Sequence, residues 1–353
     1  MGFPAWQSSD SDNFNKEHPA EKMGSDFAVI ICTYNGADRL PEVLDRLRSQ
    51  TGTESLRWEV LVVDNNSRDR TAEVVQQYQK TWQHPFPLRY CLELQQGAGF
   101  ARKRGIRETR SELVGFLDDD NLPELDWVAK AFAFAQANPQ AGAYGSQIHG
   151  QFENEPAPEL RPLLPFLAIV ERGSKPLRYD SLKRVLPPSA GLVVRRQAWM
   201  GSVPDRCLLE GRTHQSMLTG EDTEVLARIQ RNGWEIWYNP SMELHHKIPS
   251  WRLERDYLIP FFKGIGLSRY VTRMLGVQPW LRPLAIVGYM ANDLRKIVCH
   301  YLRYGPGLQS NLVAECEMTL FVSSLISPWF ILGRQWQDMM QQWQETTRKL
   351  PES

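Results

Sequence analysis

Short, unbroken apolar runs alternate with longer amphipathic stretches through the first 150 residues. The runs at 28–33 (AVIICT), 58–64 (WEVLVVD), 88–94 and 113–117 place aliphatic residues on consecutive positions, the pattern of strands buried on both faces. Between them, LPEVLDRLRSQ (40–50), TAEVVQQYQK (71–80) and ELDWVAKAFAFAQANP (124–139) read as helices, and QQGAGFARKRGIRETR (95–110) as a glycine-marked loop entering one. A fifth strand is expected at 143–149. Strands recur about every 30 residues, as right-handed βαβ units require. The fold class is therefore α/β, a Rossmann-like and mostly parallel sheet flanked by helices.

Residues 151–188 break the rhythm. They are rich in proline and carry no clean period, and they read as an excursion that shapes an acceptor pocket. A strand follows at 192–194 and a short helix from 197 to 200. The stretch 207–220 reads as a loop hinged at Gly211 and Gly220. A helix at 221–232 (EDTEVLARIQRN) puts Val225, Leu226 and Ile229 on one face, with Gly233 as its C-cap and a strand at 234–238. From 251 onward aromatic, aliphatic and arginine residues interleave in long helical stretches. Residues 318–333 (MTLFVSSLISPWFILG) carry no charge but fall short of the roughly 20 residues that span a bilayer, and contain Pro328. Two readings fit this region: a membrane-interfacial helical appendage making peripheral contact through 251–345, or a cap buried on the sheet domain.

Composition narrows the classes. Of 353 residues, 41 are basic and 41 acidic, so no global field points to nucleic acid. Cys32, Cys91, Cys207, Cys299 and Cys316 show no CxxC spacing, which argues against a disulfide framework and a cysteine zinc site and fits a reducing cytoplasm. Residues 1–25 are polar, lack the apolar core of a secretory signal, and read as a disordered tail.

The candidate chemistry sits at strand ends. The strand at 113–117 runs straight into Asp118, Asp119 and Asp120. Three adjacent carboxylates repel one another, and hard oxygen ligands suit Mg²⁺ or Mn²⁺. Ligands of open α/β sheets bind at the carboxyl ends of strands, so position and chemistry agree. The plainer reading, an acidic start to a helix, accounts for one or two of the three. Thr33-Tyr34-Asn35 follows the first strand, where a Tyr face can stack on a planar base. Asp64 ends the second strand as a possible acceptor for a base or ribose. Gly97-x-Gly99-x-Ala101-Arg102 offers Arg102 to a phosphate, yet lacks the third glycine of the dinucleotide fingerprint and the Gly-Lys-Ser/Thr of a P-loop. Each feature alone is common; the ordered set is specific.

That set, VIICTYNGADRL (29–40), LVVDNNSRD (61–69), GAGFARKRGI (97–106), FLDDDN (116–121) and TGEDTEVLARIQRNGWEIWYNP (219–240) followed by His245, resembles the family 2 glycosyltransferases, inverting nucleotide-sugar enzymes of GT-A fold. The resemblance covers about residues 26–250, leaves 251–353 as the helical appendage, and within the family points toward bacterial exopolysaccharide and hormogonium polysaccharide transferases. It implies that Thr33, Tyr34 and Asp64 hold a base, a UDP-sugar being the favoured donor, with Asn35 beside them. It implies Arg102 on the nucleotide, Asp119 on ribose or beside the metal, Asp118 and Asp120 on Mg²⁺ or Mn²⁺, and His245 touching metal or diphosphate. Glu221-Asp222 matches the family's Glu-Asp pair, with Asp222 as general base. In a strand His245 and His246 point to opposite faces, so one at most serves a site. Lys103 and Gln95 stand where the family commonly has Asn. No Gln-x-x-Arg-Trp motif follows the Glu-Asp pair, which favours single addition over a polymerising synthase. The implied acceptor is a glycan or a lipid-linked glycan at the inner face of the cell membrane. The competing readings are a nucleotidyltransferase, whose Gly-rich basic loop is missing after the first strand, and a sugar-nucleotide binding scaffold without turnover.

Overall fold

The computed structural model describes residues 25–180, 186–212 and 216–348. The tail expected at 1–25 lies, apart from its last residue, outside them. Strands β1 (Phe27–Thr33), β2 (Trp58–Asp64), β3 (Leu88–Leu92) and β4 (Leu113–Asp118) alternate with helices α1 (Leu40–Arg48), α2 (Thr71–Thr81) and α3 (Ala98–Glu108). β1 pairs in parallel with β2 and β4, and β2 with β3. The centre of a sheet covered on both faces needs apolar residues at every position, and Phe27 to Ile31 are fully buried. In α1 the buried residues are Leu40, Val43, Leu44 and Leu47, one helical stripe against that sheet.

The sheet continues through β5 (Asn121–Pro123), β6 (Ala141–Phe152), β7 (Leu177–Arg178), β8 (Leu192–Arg195) and β9 (Glu235–Ile248), in the order β3-β2-β1-β4-β8-β6-β9-β5 with β7 on β9. The parallel pattern holds from β3 to β4. It then becomes mixed, because β8 enters antiparallel between β4 and β6. β9 runs ten residues beyond the strand expected at 234–238, to Ile248. Its length is explained by pairing with the equally extended β6, which a polar second half conceals from an apolar-run reading.

Helices α4 (Trp127–Ala137), α5 (Arg196–Ser202) and α6 (Glu221–Arg231) complete the sheet layers. The excursion after β6 forms a 3₁₀ segment, Pro158–Leu167. Three long helices follow: α7 (Arg255–Leu275), α8 (Arg282–Tyr304) and α9 (Leu312–Arg348). A second apolar cluster of Leu163, Leu167, Ile248, Leu258, Phe262 and Leu320 ties the 3₁₀ segment, the end of β9, α7 and α9 together. So α7 is a buried cap, whereas α8 and one side of α9 leave large apolar residues exposed.

Candidate active site

Register places the strand ends side by side. Thr33 pairs with Asp64, and Cys32 with Asp118, so β1, β2 and β4 deliver their last residues to one edge of the sheet. A cleft of about 980 Å³ opens there, walled by that edge, the start of α6, the 3₁₀ excursion and α7.

The acid triplet divides its work. Asp118, the most exposed of the three, accepts from Arg102 Nη2 at 3.3 Å. Asp119 is buried, accepts from Thr33 Oγ1 at 2.6 Å, and meets Arg39 through Nε and Nη2, each at 2.9 Å. Burial pushes its carboxyl up, against the pull of the Arg39 guanidinium. Asp120 is equally buried and moves the opposite way. Desolvation alone would raise it, but His246, Arg252 and Arg212 together hold it well below the usual carboxylate range. Arg252 Nη2 lies 2.9 Å from Asp120 Oδ2 and His246 Nε2 lies 3.5 Å from the same oxygen.

The opposite wall carries Glu221 and Asp222 in the first turn of α6. Gly220 before them sits at φ +100°, a left-handed conformation that a side chain resists, and this aims the helix start into the cleft. Glu221 accepts from Arg102 Nη1 at 2.9 Å. Arg102 thus bridges the two walls; Asp118 and Glu221 keep it firmly charged despite the burial that opposes its charge. Asp222 accepts the N–H of Ser189 at 3.2 Å and of Thr223 at 2.7 Å. Desolvation first, then the Glu221 carboxylate, raise its pKa to about 6, overcoming Arg102.

Thr33, Tyr34, Arg102, Asp118, Asp119, Asp120, Glu221 and Asp222 all line the cleft. Asn35 and Asp64 do not. Asn35 is exposed at φ +49°, and its side-chain oxygen accepts the N–H of Arg68 while its own N–H donates to Ser67, so it ties two loops together. Asp64 is 2% exposed, and its oxygens accept from Ser67 N–H and Tyr90 Oη, which makes it a loop anchor beneath the cleft floor. Its neighbour Asn65 faces the cleft instead.

The histidine pair is reversed from expectation. His245 bonds Glu124 at 3.0 Å and packs beside His149, away from the cleft. His246 faces Asp120. Strand alternation requires that only one does so, and the pairing of Asn121 with His246 selects which. Sequence reading also missed Arg39, Arg212 and Arg252, which sit in turns and loops without periodicity. Nothing in the sequence marked them as partners of the acids, which lie far from all three along the chain.

Asp118 and Asp120 both line the cleft, with His246 beside Asp120; carboxylate oxygens suit Mg²⁺ or Mn²⁺, and an imidazole suits the latter. Among the described residues no group of three or more His, Cys, Asp or Glu is spaced to hold a metal unaided. Such ions commonly take one or two carboxylates and complete their shell with water and substrate phosphates, so the set fits an ion that arrives with a phosphorylated ligand.

Residues 28–192 match the family Glycosyl transferase family 2. Glycosyltransferase AglE of Haloferax volcanii is 36% identical over 104 residues, 29% of this chain and 33% of that protein. Glucosyl-dolichyl phosphate glucuronosyltransferase of the same organism is 23% identical over 284 residues, 77% of this chain and 86% of that protein. The first curated relatives are matched over 33% and 32% of their own length. Among solved structures, mannosyltransferase PcManGT from Pyrobaculum calidifontis in complex with GDP-Man and Mn²⁺ has a TM-score of 0.54 at 19% identity, over 87% of this chain and 88% of that one, a likeness of fold.

Proposed function

We propose that the chain moves a sugar from a nucleotide-diphospho-sugar to a glycan or lipid-linked acceptor, with inversion; the match of residues 28–192 to glycosyl transferase family 2 and the GT-A fold support this. The observation that carries this reading is Asp222. A carboxyl held at about 6 faces the same cleft as Asp118–Asp120, and a general base works best with a pKa near the working pH.

In the reaction, an acceptor hydroxyl attacks the anomeric carbon and its proton passes to Asp222. The bond from that carbon to the diphosphate oxygen breaks, and its electrons leave with the nucleoside diphosphate. One base opposite one leaving group makes a single displacement, hence inversion. Arg102, Arg212 and Arg252 line the cleft as guanidiniums for the diphosphate. Tyr34 offers a face to the base, and Asn65 and the 96–98 turn bound the same end. Asp118, Asp120 and His246 would hold Mg²⁺ or Mn²⁺, which neutralises charge developing on the leaving diphosphate. The GDP-Man and Mn²⁺ in the Pyrobaculum structure support this donor class and ion class. A UDP-sugar is the expected donor on the sequence resemblance.

Residues 26–250 would form the catalytic unit and 251–353 an appendage at the cytoplasmic face of a membrane. A role in cell-surface or exopolysaccharide synthesis by single additions fits the missing Gln-x-x-Arg-Trp motif. The test is donor turnover with and without acceptor, using Asp222→Asn beside the native chain. Loss of both transfer and hydrolysis in the variant supports the reading. Retained transfer by Asp222→Asn removes it, and a native chain that binds donor but never turns it over favours a scaffold.

A further inference from the structure

Helix α8 carries an apolar stripe that nothing among the described residues covers. Leu284, Val287, Leu294, Val298 and Leu302 recur at steps of three, seven, four and four residues, which keeps them on one face, and Leu284 and Leu302 are 73% and 78% exposed. Its neighbour α9 shows a second stripe of Val322, Ile326, Trp329, Leu332 and Trp336, all exposed. The two helices pack on each other, so a single helix pair carries ten large apolar residues exposed to solvent, and exposed apolar surface of this kind marks interaction sites. The helix over 312–337 is long and apolar enough to cross a bilayer by length and composition, and about a third of its most apolar part is buried. Its other side is fastened lengthwise to α7: Ser327 Oγ donates to the Leu267 carbonyl and accepts the N–H of Tyr270. The helix therefore lies along the protein rather than crossing alone.

Charge selects the occupant. The whole chain is neutral, yet α8 holds Arg282, Arg295, Lys296 and Arg303 against the single acid Asp293, a net +3. Arg295 and Arg303 are exposed on one flank of the α8 stripe. Beside them Arg273 grips the buried Asp293 through both nitrogens, leaving Arg269 and Lys296 crowded around a carboxylate already taken. Burial and then Arg273 lower Arg269 to about 10; burial and then Arg269 lower Lys296. A second copy of this face would bring like charge against it. An anionic lipid surface brings the opposite charge together with an apolar interior, and Trp280, Trp329 and Trp336 are residues that settle at such a boundary.

We propose that α8 and the exposed side of α9 lie in the interface of an anionic bilayer, with the stripes among the acyl chains and Arg295, Lys296 and Arg303 on lipid phosphates. This deepens the membrane placement given under the proposed function and does not depend on the transfer chemistry.

The test is flotation of the full chain with vesicles of phosphatidylcholine alone and of phosphatidylcholine with phosphatidylglycerol, at low and high salt. Thermal shifts with nucleoside diphosphates on the same samples report the cleft separately. Binding to the anionic vesicles, weakened by salt, is expected. Arg295→Gln/Lys296→Gln/Arg303→Gln would weaken it about a hundredfold, at roughly fivefold for each charge near the surface. Leu294→Glu/Val298→Glu would abolish it, and both variants would keep the nucleotide shift. Equal binding to both vesicle types overturns the charge argument. No binding by a monodisperse monomer, or a stable dimer that Leu294→Glu/Val298→Glu splits, overturns the proposal while leaving the cleft chemistry untouched.

Discussion

If Asp222 is the base, its environment sets the acid limb of the pH profile. With a pKa of about 6 in the free enzyme, kcat/KM falls about tenfold for each pH unit below that value. Above it the rate levels off. The same shift has a cost in stability. The folded carboxyl binds its proton more tightly than the ordinary carboxyl at 3.8, so the fold loses stability as pH rises from about 4 to about 6 and bears the full penalty above. At 1.36 kcal/mol for each pKa unit the penalty is about 3 kcal/mol at most. Asp222→Asn keeps an acceptor for the Ser189 N–H and removes the charge. It should therefore cut kcat about 10²–10⁴-fold while raising the melting temperature at neutral pH. Glu221→Gln should move the acid limb to lower pH, because it deletes the neighbouring negative charge and frees Arg102 to act on Asp222. Rates across pH 5–8 on native chain and both variants, with calorimetry at pH 5 and 7, check this. A limb near 4, one unmoved by Glu221→Gln, or an Asp222→Asn protein less stable at pH 7 than the native chain would each refute the reasoning.

His246→Ala should weaken the Mn²⁺-dependent thermal shift given by a nucleoside diphosphate, and His245→Ala should leave it intact; the reverse result would restore the sequence expectation. Gly36→Ala places a Cβ against Thr33 Oγ1 and Asp119 Oδ2, so it should destabilise by about 1–3 kcal/mol and loosen the β1 loop, read as lost nucleotide binding in the folded fraction. Arg39→Ala leaves the Asp119 carboxyl buried with Thr33 as its remaining side-chain donor; a loss of about 1–3 kcal/mol is expected, largest at neutral pH and shrinking as Asp119 protonates, by denaturant titration across pH.

Apolar runs made the parallel half of the sheet legible, because β1, β2 and β4 are buried on both faces and, apart from Glu59 near the start of β2, carry polar residues only at their ends. The second half of β9 was not legible: Glu243, His245 and Lys247 alternate with buried Met242, Leu244 and Ile248, and only the pairing with β6 shows that this alternation is strand. Within the site, adjacency along the chain was misleading. Asp64 and Asn65 are neighbours, yet Asp64 turns down to Tyr90 while Asn65 reaches the cleft. His245 and His246 differ by one step and face opposite sides. The arginines were beyond sequence reasoning for a different reason. Arg252 and Asp120 are 132 positions apart and meet only because β9 returns beside β5.

Those arginines determine how the cleft meets a cation. Arg252 and His246 hold Asp120, and Arg102 holds Asp118. A divalent ion alone would have to displace guanidinium partners from buried carboxylates and leave those cations without counterions, which is costly in a desolvated site. A nucleoside diphosphate changes the balance, since its phosphate oxygens supply both the missing ligands for the ion and new partners for the displaced arginines. Metal and diphosphate should therefore bind cooperatively, each tightening the other by the same factor. Isothermal titration gives the answer: weak binding of Mn²⁺ alone and of UDP alone, with a coupling of about 1–3 kcal/mol when both are present. Arg252→Gln should raise the affinity for Mn²⁺ alone, because it frees an oxygen of Asp120, and should reduce the coupling. If Mn²⁺ alone binds the native chain as tightly as it does with UDP present, the arginines do not guard the acids, and the cleft is assembled around a resident ion instead.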